Sequence, residues 1–63
     1  MNQVKKLRTE LKISQAKLAR SASIDLRYLQ RIEAQEQTPT VFIAINLAKA
    51  LRTTVENLFI QSL

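Results

Sequence analysis

The sequence predicts an all-α fold, a compact domain of five short helices. Apolar residues recur at three- and four-residue spacing along most of the chain, which is the period of an amphipathic helix. Ser, Thr, Asn and Asp precede these apolar segments and are suited to cap helices. No strand-like alternation is long enough to compete with this spacing. The chain has 63 residues, which is room for a single domain over residues 1–63.

Helix 1 is predicted from a cap at Asn2 to about Lys12, with an inner stripe of Val4, Leu7 and Leu11. Ser14 caps helix 2, whose buried side is Leu18, Ala19 and Ala22. Asp25 precedes helix 3, which runs to about Ala34 and turns Leu29 and Ile32 inward.

The second half of the chain predicts two further helices. A polar stretch ending at Pro39 is a loop, because proline disfavours helix in the residue before it. Thr40 then caps helix 4, from Val41 to about Leu51, which is apolar on most sides and is expected to carry the packing of the others. Thr54 caps helix 5, which closes the core with Val55, Leu58 and Phe59.

Composition narrows the classes of function. The chain lacks Cys and His, and its five acidic residues are scattered, so no nucleophile, metal or cofactor site is proposed and an enzyme or small-molecule substrate is not expected. No apolar stretch approaches the roughly 20 residues of a membrane span, and a cytoplasmic location is expected. A net charge of +5 suits a polyanionic partner, although charge alone is equally consistent with a merely soluble surface.

Helices 2 and 3 form a predicted helix-turn-helix, because they are joined by a tight turn of about four residues around Ser23. The outward face of helix 3 carries arginines that suit guanine, a glutamine that suits adenine and a leucine that suits a thymine methyl group. Singly, each is more simply a residue on a solvated helix face; together they favour base contact in double-stranded DNA. These residues are Leu26, Arg27, Gln30 and Arg31.

Two residues of this region keep two interpretations. Tyr28 can pack at the edge of the core, which we favour, or bring its hydroxyl to a phosphate. Asp25 can cap helix 3, which we also favour, or lie near DNA and accept from a cytosine amino group.

Four motifs together resemble the lambda-repressor-like Xre family. They are Ile13-Ser14-Gln15-Ala16-Lys17-Leu18-Ala19, Tyr28-Leu29-Gln30-Arg31-Ile32-Glu33, Thr38-Pro39-Thr40 and Leu47-Ala48-Lys49-Ala50-Leu51. The similarity runs without gaps from Val4 to Phe59. It implies a five-helix DNA-binding domain, commonly a dimeric transcription regulator of repressor type.

The resemblance also implies roles for single residues. Leu26, Arg27 and Arg31 would read bases, with Gln30 as an addition from the chemistry above. Arg8 would pair with Glu33 and tie helix 1 to the end of helix 3. The expected phosphate contacts are Ser14, Gln15, Tyr28, Gln35 and Gln37.

The chain departs from the family at positions that favour glycine and hold Ser23, Gln35 and Arg52 here. A left-handed backbone at each would cost on the order of 1 kcal/mol, so we predict that at least one of these turns is rebuilt. Glu36 stands where the family usually has a basic residue, which predicts modest affinity for DNA phosphates.

Apolar residues late in the chain suggest a partner surface, formed by Phe42, Phe59, Ile60 and Leu63. Phe42 has a second interpretation, slightly favoured, in which its ring folds back over the end of helix 3. We expect a homodimer, joined through the apolar tail beyond helix 5 that carries Ile60 and Leu63, on an inverted-repeat operator with recognition helices about 34 Å apart. The alternative function is a protein-interaction module, for example an antitoxin-like partner.

Overall fold

A computed structural model describes residues 2–59 of the chain. This part of the chain holds five α-helices and no strand, which confirms the predicted all-α fold. Every predicted helix is present, and α1 is shorter at both ends than the sequence suggested. The helices are α1 (Val4–Glu10), α2 (Gln15–Ser21), α3 (Leu26–Glu33), α4 (Val41–Ala50) and α5 (Val55–Phe59).

Three of the predicted caps form the expected hydrogen bonds. The Ser14 hydroxyl accepts from the backbone N–H of Lys17 at 3.0 Å, and the Thr40 hydroxyl accepts from that of Ile43 at 3.3 Å. Thr54 caps α5 in the same way, at 3.1 Å. Each bond satisfies an N–H that the first turn of a helix leaves without a partner, so the starts of α2, α4 and α5 are determined locally.

The other two predicted caps differ in detail. The N-cap position of α1 is Gln3, while Asn2 lies one residue earlier. Its Oδ1 accepts from the Val4 N–H at 3.1 Å and its Nδ2 donates to the Ile32 carbonyl at 2.8 Å, so Asn2 ties the start of α1 to α3. Asp25 occupies the N-cap position of α3, but its side chain makes no capping hydrogen bond. The prediction that Asp25 lies at the N-cap of α3 is confirmed, but the expected hydrogen bond from its carboxylate is not formed.

Four helices end in the same backbone motif. After α2, for example, the Ser23 N–H donates to the Arg20 carbonyl at 3.1 Å and the Ile24 N–H donates to the Ala19 carbonyl at 2.9 Å. This pair of bonds is the Schellman arrangement, which requires a left-handed residue. The left-handed residues are Lys12 (φ 59°), Ser23 (59°), Gln35 (66°) and Arg52 (58°).

These angles contradict the prediction that at least one glycine-favouring turn is rebuilt. Ser23, Gln35 and Arg52 all keep the left-handed conformation, and Lys12 adds a fourth such position that the sequence analysis missed. Two backbone hydrogen bonds at each helix end outweigh the steric cost of the left-handed residue. That cost is still present in the folded chain, so these turns remain strained.

The core lies where the five helices meet. As predicted, α2 and α3 each bury one face and expose the other, and Leu18, Leu29 and Ile32 have no exposed surface. Leu11 departs from the predicted inner stripe of helix 1, because it follows the end of α1 and is 43% exposed. The buried cluster comprises Val4, Leu18, Ala19, Ala22, Leu29, Ile32, Leu47, Ala48, Leu51 and Leu58.

Helix α4 buries only one side. Ala44, Leu47 and Ala48 face the core, whereas Val41 and Phe42 are 72% and 81% exposed. The apolar residues on the other side of α4 are therefore exposed. The favoured interpretation of Phe42 is wrong, because its ring projects into solvent and does not fold back over α3.

The retained strain predicts the effect of glycine at these turns. Ser23→Gly removes the Cβ clash and should raise the free energy of unfolding by about 1 kcal/mol, or the Tm by roughly 4–8 °C. Ser21→Gly is the matched control, since the same exchange inside α2 should lower stability. Thermal unfolding followed by circular dichroism measures both. An unchanged or lower Tm for Ser23→Gly would reject stored strain at this turn.

Candidate nucleic-acid interface

The α2–α3 unit has the geometry of a helix-turn-helix. The two helices are joined by residues 22–25, and the turn is closed by the left-handed residue Ser23. Leu18 and Ala19 of α2 pack in the same buried cluster as Leu29 and Ile32 of α3. Because α3 is held along its whole inner face, its outer face is presented in a fixed orientation.

The outer face of α3 carries the side chains predicted to contact bases. Leu26 is 38% exposed, and Arg27, Gln30 and Arg31 are exposed as well. The last three line a shallow groove together with Ala34 and Glu36. The structure therefore places two guanidinium groups and one amide side by side on the surface, where hydrogen-bonding partners from outside can reach them.

Glu36 belongs to this groove, although the sequence analysis left it out of the site. Its backbone N–H donates to the Arg31 carbonyl at 2.9 Å as part of the Schellman turn after α3. That turn brings the residue back beside the end of the helix. The available signal was Gln35 at a position that favours glycine. A left-handed residue there folds the next residue, Glu36, back toward the end of α3.

Arg8 and Glu33 form a desolvated ion pair behind the groove. Arg8 Nε donates to Glu33 Oε2 at 2.7 Å and Arg8 Nη2 donates to Oε1 at 3.2 Å, while Nη1 donates to the Ile13 carbonyl at 2.9 Å. The two side chains are only 11% and 4% exposed. Such a fork-to-fork pair fixes both distance and orientation, so α1 and the end of α3 are joined rigidly.

Gln15 connects this ion pair to the exposed face. Its Nε2 donates to Glu33 Oε1 at 3.0 Å, and its Oε1 accepts from Gln30 Nε2 at 3.3 Å. The sequence analysis treated Gln15 as a phosphate contact and Gln30 as a base contact, and it did not connect them. No local pattern predicts the connection, because it joins residues 15 positions apart on two helices.

The remaining predicted phosphate contacts lie in three places. Ser14 is exposed at the start of α2, and its hydroxyl proton stays available because the oxygen accepts the capping bond. Tyr28 is half-buried and packs against the core. Gln35 and Gln37 are exposed in the loop after α3, and Gln35 Oε1 accepts from the Asn2 N–H at 3.2 Å.

The predicted partner surface is only partly retained. Phe42 is exposed, with Val41 and Ile45 beside it on α4. Phe59 is half-buried and packs against the core, so it is not a free surface residue. Ile60 and Leu63 lie outside the described residues.

Other kinds of site find no support in residues 2–59. No helix there is long and apolar enough to cross a membrane. Within the same residues, no three acidic, cysteine or histidine side chains come together as metal ligands would.

Comparisons with known proteins agree with this geometry. The helix-turn-helix family profile matches residues 4–58. The restriction-modification controller protein C.AhdI from Aeromonas hydrophila superposes with a TM-score of 0.85 at 28% sequence identity, over 90% of this chain and 86% of that one. A chain of the SinR protein/SinI protein complex superposes with a TM-score of 0.87 at 27% identity, over 94% of this chain. This chain spans 58% of that longer one.

No protein of curated function matches the chain by sequence. The matching family consists of transcription regulators, not enzymes. The chain belongs to the lambda-repressor-like helix-turn-helix family of DNA-binding transcription regulators.

Proposed function

We propose that this chain is a sequence-specific, repressor-like regulator that reads the major groove of double-stranded DNA with α3, as a dimer on an inverted repeat. The observation that carries the proposal is the composition of one exposed helix face. Leu26, Arg27, Gln30 and Arg31 share it, while Leu29 and Ile32 on the opposite face are fully buried. The net charge of +5 favours the approach to a polyanion.

Each side chain on this face has a base that suits its chemistry. Arg27 and Arg31 each offer a planar fork of donors that matches O6 and N7 of guanine. Gln30 offers an amide N–H and a carbonyl oxygen side by side, which match N7 and N6 of adenine. Leu26 at the start of α3 offers apolar contact to a thymine methyl group. Hydrogen-bond donors toward the DNA phosphates that flank the major groove come from Ser14, Gln15, Gln35 and Gln37.

The exposed apolar face of α4 supports association with a second copy. Val41, Phe42 and Ile45 lie on it, and Phe42 is 81% exposed. Aromatic side chains are enriched at protein interfaces, and adjacent exposed apolar residues mark an interaction surface. The chain extends 31 × 22 × 19 Å, so two copies side by side have dimensions compatible with recognition helices about 34 Å apart.

A second candidate function uses the same α4 face for a different protein, as an interaction module. The exposure of Phe42 favours it as well, since an apolar face does not itself distinguish a second copy from another partner. One structural neighbour was solved in complex with another protein, SinI. The two candidate functions differ in whether the chain prefers particular DNA sequences, and selection of sites from a randomised duplex library measures this.

Base reading by the arginines is tested by selecting sites from a randomised duplex library at fixed salt. Arg27→Ala and Arg31→Ala should each relax the preference at particular positions of an inverted repeat, at a cost of about 1–3 kcal/mol. Lys6→Ala is the charge-matched control on α1 and should leave the preferences unchanged. Binding without any sequence preference, lost uniformly as salt rises, would leave only electrostatic attachment and favour the interaction module.

Glu36 should weaken DNA binding through its charge. Its carboxylate lines the groove beside Arg27 and Arg31, where it repels phosphates and competes for the guanidinium groups. Glu36→Gln should therefore tighten binding about two- to fivefold at low salt, and the gain should shrink as salt rises. Glu56→Gln on α5 is the control outside the groove. Weaker binding confined to one base pair would instead identify Glu36 as an acceptor for a cytosine amino group.

Dimerisation through α4 is tested by Phe42→Gln. Loss of the ring should convert a dimer to a monomer in sedimentation and reduce operator affinity roughly tenfold or more, as removal of an aromatic anchor does. Leu11→Gln is the matched control, because Leu11 is also exposed and apolar but lies after α1. A wild-type chain that stays monomeric even on a selected inverted repeat would refute the dimer.

A further inference from the structure

A second groove lies where the end of α1, the body of α2 and the end of α4 meet. Its volume is about 420 Å³, within the range of roughly 300–1,000 Å³ that ligand pockets occupy. None of the residues proposed to contact DNA lines this α1–α2–α4 groove. Its lining includes Leu11, Ile13, Lys17, Leu18, Ala50 and Arg52.

The floor of the α1–α2–α4 groove is apolar and partly open to water. Leu11 follows α1 and is 43% exposed, while Ile13 and Ala50 are half-buried. The fully buried Leu18 of α2 lies beneath them. Because Leu11 keeps apolar surface in water, an apolar side chain from another molecule would be stabilised by packing on it.

The rim of the groove is basic. Lys17 on α2 and Arg52 after α4 are both exposed, and they reach the groove from two separate elements. Within residues 2–59 neither side chain forms a salt bridge or a hydrogen bond. No acidic residue is among the described residues that line the groove. The combination suits a ligand that carries negative charge beside an apolar group.

The backbone gives a second, independent indication. Of the left-handed residues, the two that carry a cation are Lys12 and Arg52. Arg52 lines the groove, and Lys12 lies between two residues that line it. The helix dipole favours a cation at any helix end, yet the left-handed residues after α2 and α3 are the neutral Ser23 and Gln35. Side chains are thus kept at a steric cost where they add charge to this groove, and such strain is concentrated at functional sites.

We propose that the α1–α2–α4 groove binds a short acidic segment of a partner protein. An apolar side chain of that segment packs on Leu11, while its carboxylates pair with Lys17 and Arg52. A peptide suits the groove better than nucleic acid does, because an apolar floor offers no partner to a phosphate or a sugar. The exposed residues of α4 and the outer face of α3 do not line it, so the partner uses neither the surface proposed for DNA nor that proposed for a second copy.

The test selects peptides from a randomised library displayed on phage, against the full chain at fixed salt. The selected peptides should combine acidic residues with a large apolar residue. Leu11→Gln should weaken their binding about tenfold, as loss of a central apolar contact does. Phe42→Gln is the matched control, because Phe42 is also exposed and apolar but does not line the groove.

Charge at the rim is tested with the same selected peptides. Lys17→Gln and Arg52→Gly should each weaken binding about two- to fivefold at low salt, and the loss should shrink as salt rises. Lys5→Gln is the control for charge, since Lys5 is exposed on α1 outside the groove.

Glycine at position 52 also separates binding from stability. It suits the left-handed backbone, so Arg52→Gly should not lower the Tm although it weakens the binding of the peptides. Ser23→Gly makes the same kind of change at a turn outside the groove and should leave peptide binding unchanged.

Each outcome decides for or against the proposal. Failure to select any peptide, selection without an acidic preference, or binding that survives Leu11→Gln would overturn it. If Arg52→Gly lowers the Tm and leaves peptide binding intact, Arg52 serves only the end of α4 and the basic rim is refuted. In nuclear magnetic resonance, the methyl signals of Leu11 and Ile13 should shift with a selected peptide. If duplex DNA shifts them and the peptide does not, the groove binds phosphate and the proposal is overturned.

Discussion

The buried ion pair between Arg8 and Glu33 is the constraint on which the rest of the interface depends. It joins α1 to the last residue of α3 with a 2.7 Å bond between side chains that are 11% and 4% exposed. Removing one partner of such a pair costs about 3–5 kcal/mol, because the other charge remains buried without compensation. The same carboxylate also accepts from Gln15 of α2. One group therefore links three helices, beside the apolar core that packs them together.

Much of the fold is predictable because its signals are local. A Ser or Thr before an apolar run satisfies the first N–H groups of a helix wherever that helix lies, and the bonds of Ser14, Thr40 and Thr54 follow. Spacing of three and four residues likewise assigned the buried faces of α2 and α3. The turns were harder to predict, because the absence of glycine says nothing about the two backbone bonds that hold a left-handed Ser23 or Gln35 in place.

The residues of the candidate site likewise fall into those that local signals predict and those that they do not. Which residues share the outer face of α3 follows from helical period alone. Glu36 in the groove and the Gln15–Gln30 bond do not, because both depend on how separate segments meet. The direction of an amide is set by its neighbours, and here the deciding neighbour is a carboxylate 18 residues away from Gln15. Phe42 shows the same limit: an apolar helix predicts burial, but its sequence does not say which sides the chain itself covers.

The exposed ring of Phe42 has a consequence for how such a regulator responds to its own abundance. A dimer formed through one small apolar face dissociates on dilution, because association of two copies must overcome the translational entropy that they lose. Occupancy of a two-fold operator by the proposed dimer then rises with the square of the chain concentration when most copies are single. In the proposed dimer, the strength of the contact at α4 would determine how sharply a regulated gene switches as the chain accumulates, independently of how well α3 fits its bases.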